Sequence, residues 1–212
     1  MPTMGEVTEV DLMKKIFLLV FLTCVHGVTY GQGDPEAGKA LTTVCVACHG
    51  EDGNSLAGAF PNIAGQTSQY LFKQLREIKT GVRPVPTMVG QLDNFSDEDL
   101  IDIAAYYAAQ KRKVGLAKPE LVELGESIYR AGIKRKNIAA CTACHSPTGS
   151  GNGPAGFPAL AGQWPEYTEQ QLKAFRSGER HNDGDEQMMQ ATSEDLSDDE
   201  IAAVASYLYG LQ

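Results

Sequence analysis

Apolar residues Ile101, Ala104, Ala105 and Ala108 recur at three- and four-residue steps behind the polar run Ser96-Asp97-Glu98-Asp99. The same arrangement returns behind Ser197-Asp198-Asp199-Glu200, through Ile201, Val204, Ala205 and Leu208. That period predicts a helix with one buried face, and a serine followed by acids is an N-cap signature. Earlier in each half, Asp34-Pro35-Glu36 and Pro119-Glu120 place a proline in a first helical turn, with acids at its positive end. These starts predict one helix carrying Cys45 and Cys48 at its close and another leading to Cys141. Further amphipathic segments run from about Gln69 to Lys79 and from about Glu166 to Arg176. Glycine-rich loops join them and no β-branched runs intervene, so the expected fold class is all-α.

The two halves share landmarks in one order. A C-x-x-C-H pentapeptide is followed by Phe60-Pro61 or Phe157-Pro158, then by Ala64-Gly65-Gln66 or Ala161-Gly162-Gln163. Tyr70 pairs with Tyr167, Gln74-Leu75 with Gln171-Leu172, Gly81 with Gly178, and Ser96-Asp97 with Ser197-Asp198. The offset is 96 at the cysteines, 97 from Phe-Pro to the glycine and 101 at the serine, so the second copy holds small loop insertions. Two copies of this size are each large enough to close around a core. The expected organisation is an amino-terminal segment 1–31, one domain over 32–112, a linker at 113–118 and a second domain over 119–212. The linker lies within the Lys/Arg-bearing stretch Gln110–Lys118.

Met13-Lys14-Lys15 and the apolar run Ile16–Leu22 read as the charged and hydrophobic regions of a secretory signal, too short to span a bilayer comfortably. Glu6, Glu9 and Asp11 do not suit a signal's charged region, so translation is expected to begin at Met13, with 1–12 an upstream mis-start. Thr29 and Gly31 suggest cleavage before Gln32; cleavage after Gly27 is the alternative. Of the five cysteines, only Cys24 falls in this segment, and Phe21-Leu22-Thr23 before it matches a lipidation site poorly.

The chemistry lies in Cys45-Val46-Ala47-Cys48-His49 and Cys141-Thr142-Ala143-Cys144-His145. Two thiols one helical turn apart can add across the vinyl groups of a haem, with the adjacent histidine then held against the iron. A thioredoxin-like dithiol would want a βαβ pattern, which the flanks lack. Zinc would want the two Cys pairs to converge, yet each sits in its own copy with its own histidine. Two covalently bound haem c groups are therefore the expected cofactors, on Cys45, Cys48, Cys141 and Cys144, with His49 and His145 as axial ligands.

For the opposite axial position, Met88 stands eight residues before the cap Ser96, and the same count back from Ser197 reaches Met189 rather than Met188. A methionine thioether opposite histidine gives six-coordinate iron. Core filling is the plain reading of either methionine. His181 is the other candidate in the second half, but has no counterpart in the first and reads as a surface residue. Pro61 and Pro158 follow the motifs closely enough to offer carbonyls to the ring N–H of each histidine. A simple turn explains them equally well.

Formal charge is −9 with an isoelectric point near 4.9, which excludes the basic surface that nucleic acid requires. Residues 33–118 carry nine Lys/Arg and ten Asp/Glu, while 119–212 carry seven and fourteen, so the charge is −1 and −7. A basic partner docking on the second domain is the expectation. Lys134-Arg135-Lys136 is a local exception beside the second motif.

With its leader, two C-x-x-C-H domains, Asp52-Gly53-Asn54-Ser55 after the first motif, F-P-x-x-A-G-Q in each half, Asn182-Asp183-Gly184-Asp185 and a methionine eight residues before each Ser-Asp cap, the chain resembles the dihaem cytochrome c4 family. The resemblance runs from Asp34 to the carboxyl end. It implies two class I cytochrome c domains related by pseudo-two-fold symmetry, haem propionates near one another at their interface, and His49/Met88 and His145/Met189 as axial pairs. It also implies a periplasmic electron carrier between a quinol-oxidising complex or dehydrogenase and a terminal oxidase or other acceptor, with loose membrane association open. Redox proteins are then the partners, with neither nucleic acid nor a small-molecule substrate. Iron closed on both faces argues against an enzyme. The rival readings are a haem peroxidase and the cytochrome subunit of a larger oxidoreductase.

Overall fold

The computed structural model describes residues 33–212, and within them the fold is helical, with two isolated β-bridges and no strand. The leader reading, Met13 and Cys24 included, lies outside the described residues. In the first half α1 (Pro35–Leu41), α2 (Val46–His49), α3 (Ser68–Lys79) and α4 (Asp97–Ala108) follow in order. The second half repeats them as α5 (Pro119–Ala131), α6 (Thr142–His145), α7 (Pro165–Ser177) and α9 (Asp198–Gly210), and adds the short α8 (Met188–Ser193). The two halves thus repeat one all-α arrangement, as the duplicated sequence predicts.

The last helices start where the serines stand. Ser96 accepts from the Asp99 backbone while the Asp99 carboxylate accepts from the Ser96 backbone, and Ser197 and Glu200 form the same reciprocal box. Each box satisfies backbone donors that a helix start leaves open. Their apolar faces are buried, with Leu100 and Ile103 at the centre of one half and Ile201, Val204 and Leu208 at that of the other. The first helix of each half crosses the last at a glycine. A Cβ on Gly38 would lie 2.0 Å from the Asp102 carbonyl oxygen, and one on Gly125 would lie 2.3 Å from that of Ala203. Only the missing side chain lets the paired backbones approach this closely.

One expectation is corrected: neither first helix carries its cysteines. α1 stops at Leu41, a 3-10 turn spans Thr42–Val44, and Cys45 opens the separate α2. Contrary to the reading that no β-branched run intervenes, Thr42, Thr43 and Val44 form a short one, and the Thr42 hydroxyl donates to the Lys39 carbonyl at 2.9 Å. In the second half α5 ends at Gly132, in a positive-φ conformation. A loop closed by the Ile133–Ile138 bridge then intervenes before Cys141. That insertion went unseen in the sequence because it lies before the motif, outside the shared landmarks.

Residues 113–118 do not swing free. Lys113 N–H donates to Asn54, Gly115 N–H to the Tyr209 carbonyl and Lys118 N–H to the Ser206 hydroxyl, at 2.9 Å each, so the connection is pinned to both halves.

Candidate functional site

Each C-x-x-C-H stretch forms a single helical turn ending on its histidine, which brings the two thiols to one side and buries the imidazole. His49 is 9 % and His145 6 % exposed. The Nδ1 atoms of His49 and His145 each lie 2.9 Å from a carbonyl oxygen, of Pro61 and Pro158 respectively. A carbonyl only accepts, so Nδ1 carries the proton and Nε2 keeps a free lone pair. Burial pushes both imidazoles towards the neutral form, and the proline hydrogen bonds oppose this only in part. Phe60 and Phe157, next to those prolines, meet the rings edge-on with centroids 6.5 and 6.1 Å apart.

Burial also raises the Cys45 thiol and pushes that of Cys141 up to about 11, so both are protonated at neutral pH. All four motif cysteines are partly buried, and none of them forms a disulfide. Cys45 and Met88 pack against the same buried cluster, which includes Leu71, Leu92, Leu100 and Tyr107. Met88 ends a 3-10 turn that Pro86 begins. Met189 is reached differently. The Asp183 carboxylate accepts from the Met189 and Gln190 backbone N–H groups at 2.9 and 3.0 Å and so holds the start of α8. Asp183 therefore caps the helix that bears the thioether. Met188, its neighbour, is 46 % exposed, and His181 is also exposed, while Met189 is half-buried.

The residues present fit an iron porphyrin. Each half offers two thiols one turn apart, a neutral imidazole with Nε2 free and a half-buried thioether, the donors a c-type haem takes. Of three buried side-chain oxygens without a partner among the described residues, Tyr107 lies beside Cys45 and Ser193 one turn beyond Met189. Among the described residues, no group of three or more His, Cys, Asp or Glu side chains is placed to hold a metal ion by itself.

Sequence reasoning missed the interface between the halves. Gln66 Nε2 donates to the Ala159 carbonyl at 2.9 Å and its Oε1 accepts from Ala159 N–H at 2.7 Å. Gln163 grips Asn62 in the same way, at 2.8 and 2.9 Å. Arg83 donates to Gln74, Tyr167 and Gln171, and its counterpart Arg180 to Gln171, Tyr70 and Gln74, all within 2.7–3.2 Å. Arg180 also lies over the Phe175 ring at 4.4 Å. Tyr70 and Tyr167 are thus braces between the halves. Tyr209 stacks on Trp164, and Tyr106 and Tyr107 pack in the core of the first half. The signal was in the repeat: Gln66 and Gln163 were already landmarks, and Arg83 and Arg180 share their offset of 97.

A family model for cytochrome c matches residues 35–110 and again 122–212. The chain is 50 % identical over 200 residues to cytochrome c4 of Pseudomonas aeruginosa, covering 94 % of this chain and all of that one. The crystal structure of reduced recombinant cytochrome c4 from Pseudomonas stutzeri superposes with a TM-score of 0.84 at 49 % identity, covering 85 % of this chain and all of that one. A protein of Stutzerimonas stutzeri called thiosulfate dehydrogenase electron acceptor is 37 % identical over 183 residues, 84 % of this chain and 82 % of that one.

Proposed function

From the premise that this chain belongs to the dihaem cytochrome c4 family, and so is an electron-transfer protein with two covalently bound haem c groups, we propose that it works in the periplasm. It takes electrons from a quinol-oxidising complex or a dehydrogenase and passes them to a terminal oxidase or another acceptor. The supporting observation is the matched pair of histidines, each buried, each with Nδ1 on a proline carbonyl 2.9 Å away.

In this reading Cys45, Cys48, Cys141 and Cys144 hold the porphyrins by thioether bonds. His49 with Met88, and His145 with Met189, would be the iron ligands of the first and second halves. The haems supply reversible one-electron chemistry. The chain's own part is to keep the ligands still: the Pro61 and Pro158 carbonyls fix ring orientation and tautomer, and the Asp183 cap fixes the Met189 backbone. Ligands that move little between oxidation states suit rapid exchange. The interface clamps hold the two halves in one arrangement, so an electron entering either half finds the second centre in a constant position. Domains spanning 32–112 and 119–212, joined by 113–118, are the units of this relay.

A redox titration of the purified holoprotein with near-infrared spectroscopy tests the reading. Two low-spin haems, each with the band of methionine ligation, are expected. A high-spin ferric haem that binds cyanide readily would instead give the peroxidase reading.

A narrower role also has support. The relative called thiosulfate dehydrogenase electron acceptor suggests that this chain accepts from a dehydrogenase of that kind. Reduction of the holoprotein by such an enzyme with thiosulfate, faster than by quinol-oxidising membranes, would favour it.

A further inference from the structure

We propose that Gln66 and Gln163 are positioning residues that act across the interface, each strengthening the hydrogen bond of the opposite half's axial histidine. The proposal rests on the ligation by His49 and His145 put forward above. Its basis is that two hydrogen bonds meet on one peptide group. The Pro158–Ala159 peptide accepts at its oxygen from His145 Nδ1, 2.9 Å away, and donates at its nitrogen to Gln66 Oε1, 2.7 Å away. The Pro61–Asn62 peptide does the same between His49 Nδ1 and Gln163 Oε1, at 2.9 Å on each side. Each chain of bonds begins on a glutamine in one half and ends on the imidazole of the other.

The orientation of both amides is settled by their partners. Each Oε1 faces a backbone N–H and each Nε2 faces a backbone carbonyl, so the reverse assignment would set like against like. Gln66 is buried, and its Oε1 also accepts from Thr67 N–H at 2.9 Å, which leaves the side chain no freedom to turn.

Hydrogen bonds in such a chain polarise one another, by about 10–30 % per bond. A peptide whose N–H is donating carries more negative charge on its carbonyl oxygen. That oxygen draws the Nδ1 proton more strongly, and the imidazole becomes more electron-rich at Nε2. A stronger imidazole donor favours ferric over ferrous iron. The glutamine of one half therefore lowers the potential of the haem bound to the other, and the geometry does so in both directions.

The test uses the dihaem holoprotein and Gln66→Leu, Gln163→Leu and Tyr167→Phe. Potentials are read by titration, with the two haems told apart by NMR contacts to Cys45 and Cys141. Hydrogen-bond strength is read from the Nδ1–H resonances of the ferrous protein. In Gln66→Leu the haem on Cys141 and Cys144 should become easier to reduce, its ferric-to-ferrous ratio at fixed potential falling roughly two- to threefold. The His145 Nδ1–H signal should move upfield while the haem on Cys45 and Cys48 stays unchanged. Gln163→Leu should do the reverse. Tyr167→Phe loosens the same interface without touching either peptide and should leave both Nδ1–H signals in place. Movement of both haems together, of the haem in the substituted half, or of the Nδ1–H signals in Tyr167→Phe would overturn the proposal. Gln163 is only half-buried, so its variant decides the matter if Gln66→Leu does not fold. Ligation is checked separately in the unsubstituted ferrous protein, where ligating His49 and His145 must show ring protons shifted by the porphyrin ring current. Failure there removes the ligand assignment and the relay with it; success there followed by no crossed effect removes the relay alone.

Discussion

The guanidinium of Arg180 donates to the Tyr70 hydroxyl at 2.9 Å from the far side of the interface, and Arg83 donates to Tyr167 at the same distance in the mirrored direction. Both arginines are buried, and the hydrogen-bond acceptors of their guanidiniums are neutral. A hydrogen bond to a charged group contributes about 1.5–3 kcal/mol, and its loss here leaves a buried donor unpaired. Tyr70→Phe should therefore lower the stability of the holoprotein by about 2 kcal/mol in urea denaturation. An unchanged midpoint would mean that water replaces the phenol at no cost.

The helix crossings should be equally intolerant. In Gly125→Ala the new methyl group would meet Ala203 O at 2.3 Å and Tyr207 Cβ at 2.6 Å, so α5 must back away from α9. Overpacking of this kind costs about 1–3 kcal/mol, against a smaller gain in helix propensity. Calorimetry should show a lower melting temperature for Gly125→Ala, and the same for Gly38→Ala in the other half.

Adjacent methionines separate the ligand reading from core filling. Met189→Ala should abolish the near-infrared band of one haem and make that iron accessible to cyanide, whereas Met188→Ala should leave the spectrum intact. The reverse result would move the ligand to the more exposed neighbour.

Acid should weaken the second half through Glu200. Burial raises its carboxyl, but Lys136 at 2.7 Å and the Ser197 backbone N–H at 2.8 Å outweigh that and hold it below its usual value near 4.5. The unfolded chain then binds the proton more tightly than the folded one, so the stabilisation is complete above about pH 4.5 and is lost as pH falls through the lower folded value. Urea midpoints measured downwards from pH 6 should fall less steeply in Lys136→Met than in the unsubstituted protein.

Charge is concentrated at −7 in residues 119–212. If a basic partner docks there, the bimolecular rate of electron transfer should fall steeply as salt shortens the reach of that field. A rate unmoved by ionic strength would place docking elsewhere.

The helices, the duplication and the attachment chemistry are legible in the residues alone, because each is written in short-range spacing. Ser96 and Asp99 cap their helix from three residues apart, and Cys45, Cys48 and His49 share a single turn. Even so, the break after Leu41 overrode the expected continuous helix, since three β-branched residues propagate a helix poorly. The contacts joining Gln66 to Ala159, Gln163 to Asn62 and the two arginines to the opposite tyrosines emerge only in the folded molecule. Their partners lie 84–110 residues apart, so no local period encodes them. A repeated Gly-Gln reads the same whether its amide faces water or another domain. Which of the two it faces depends on how the closed halves meet, and that is settled by packing across the interface.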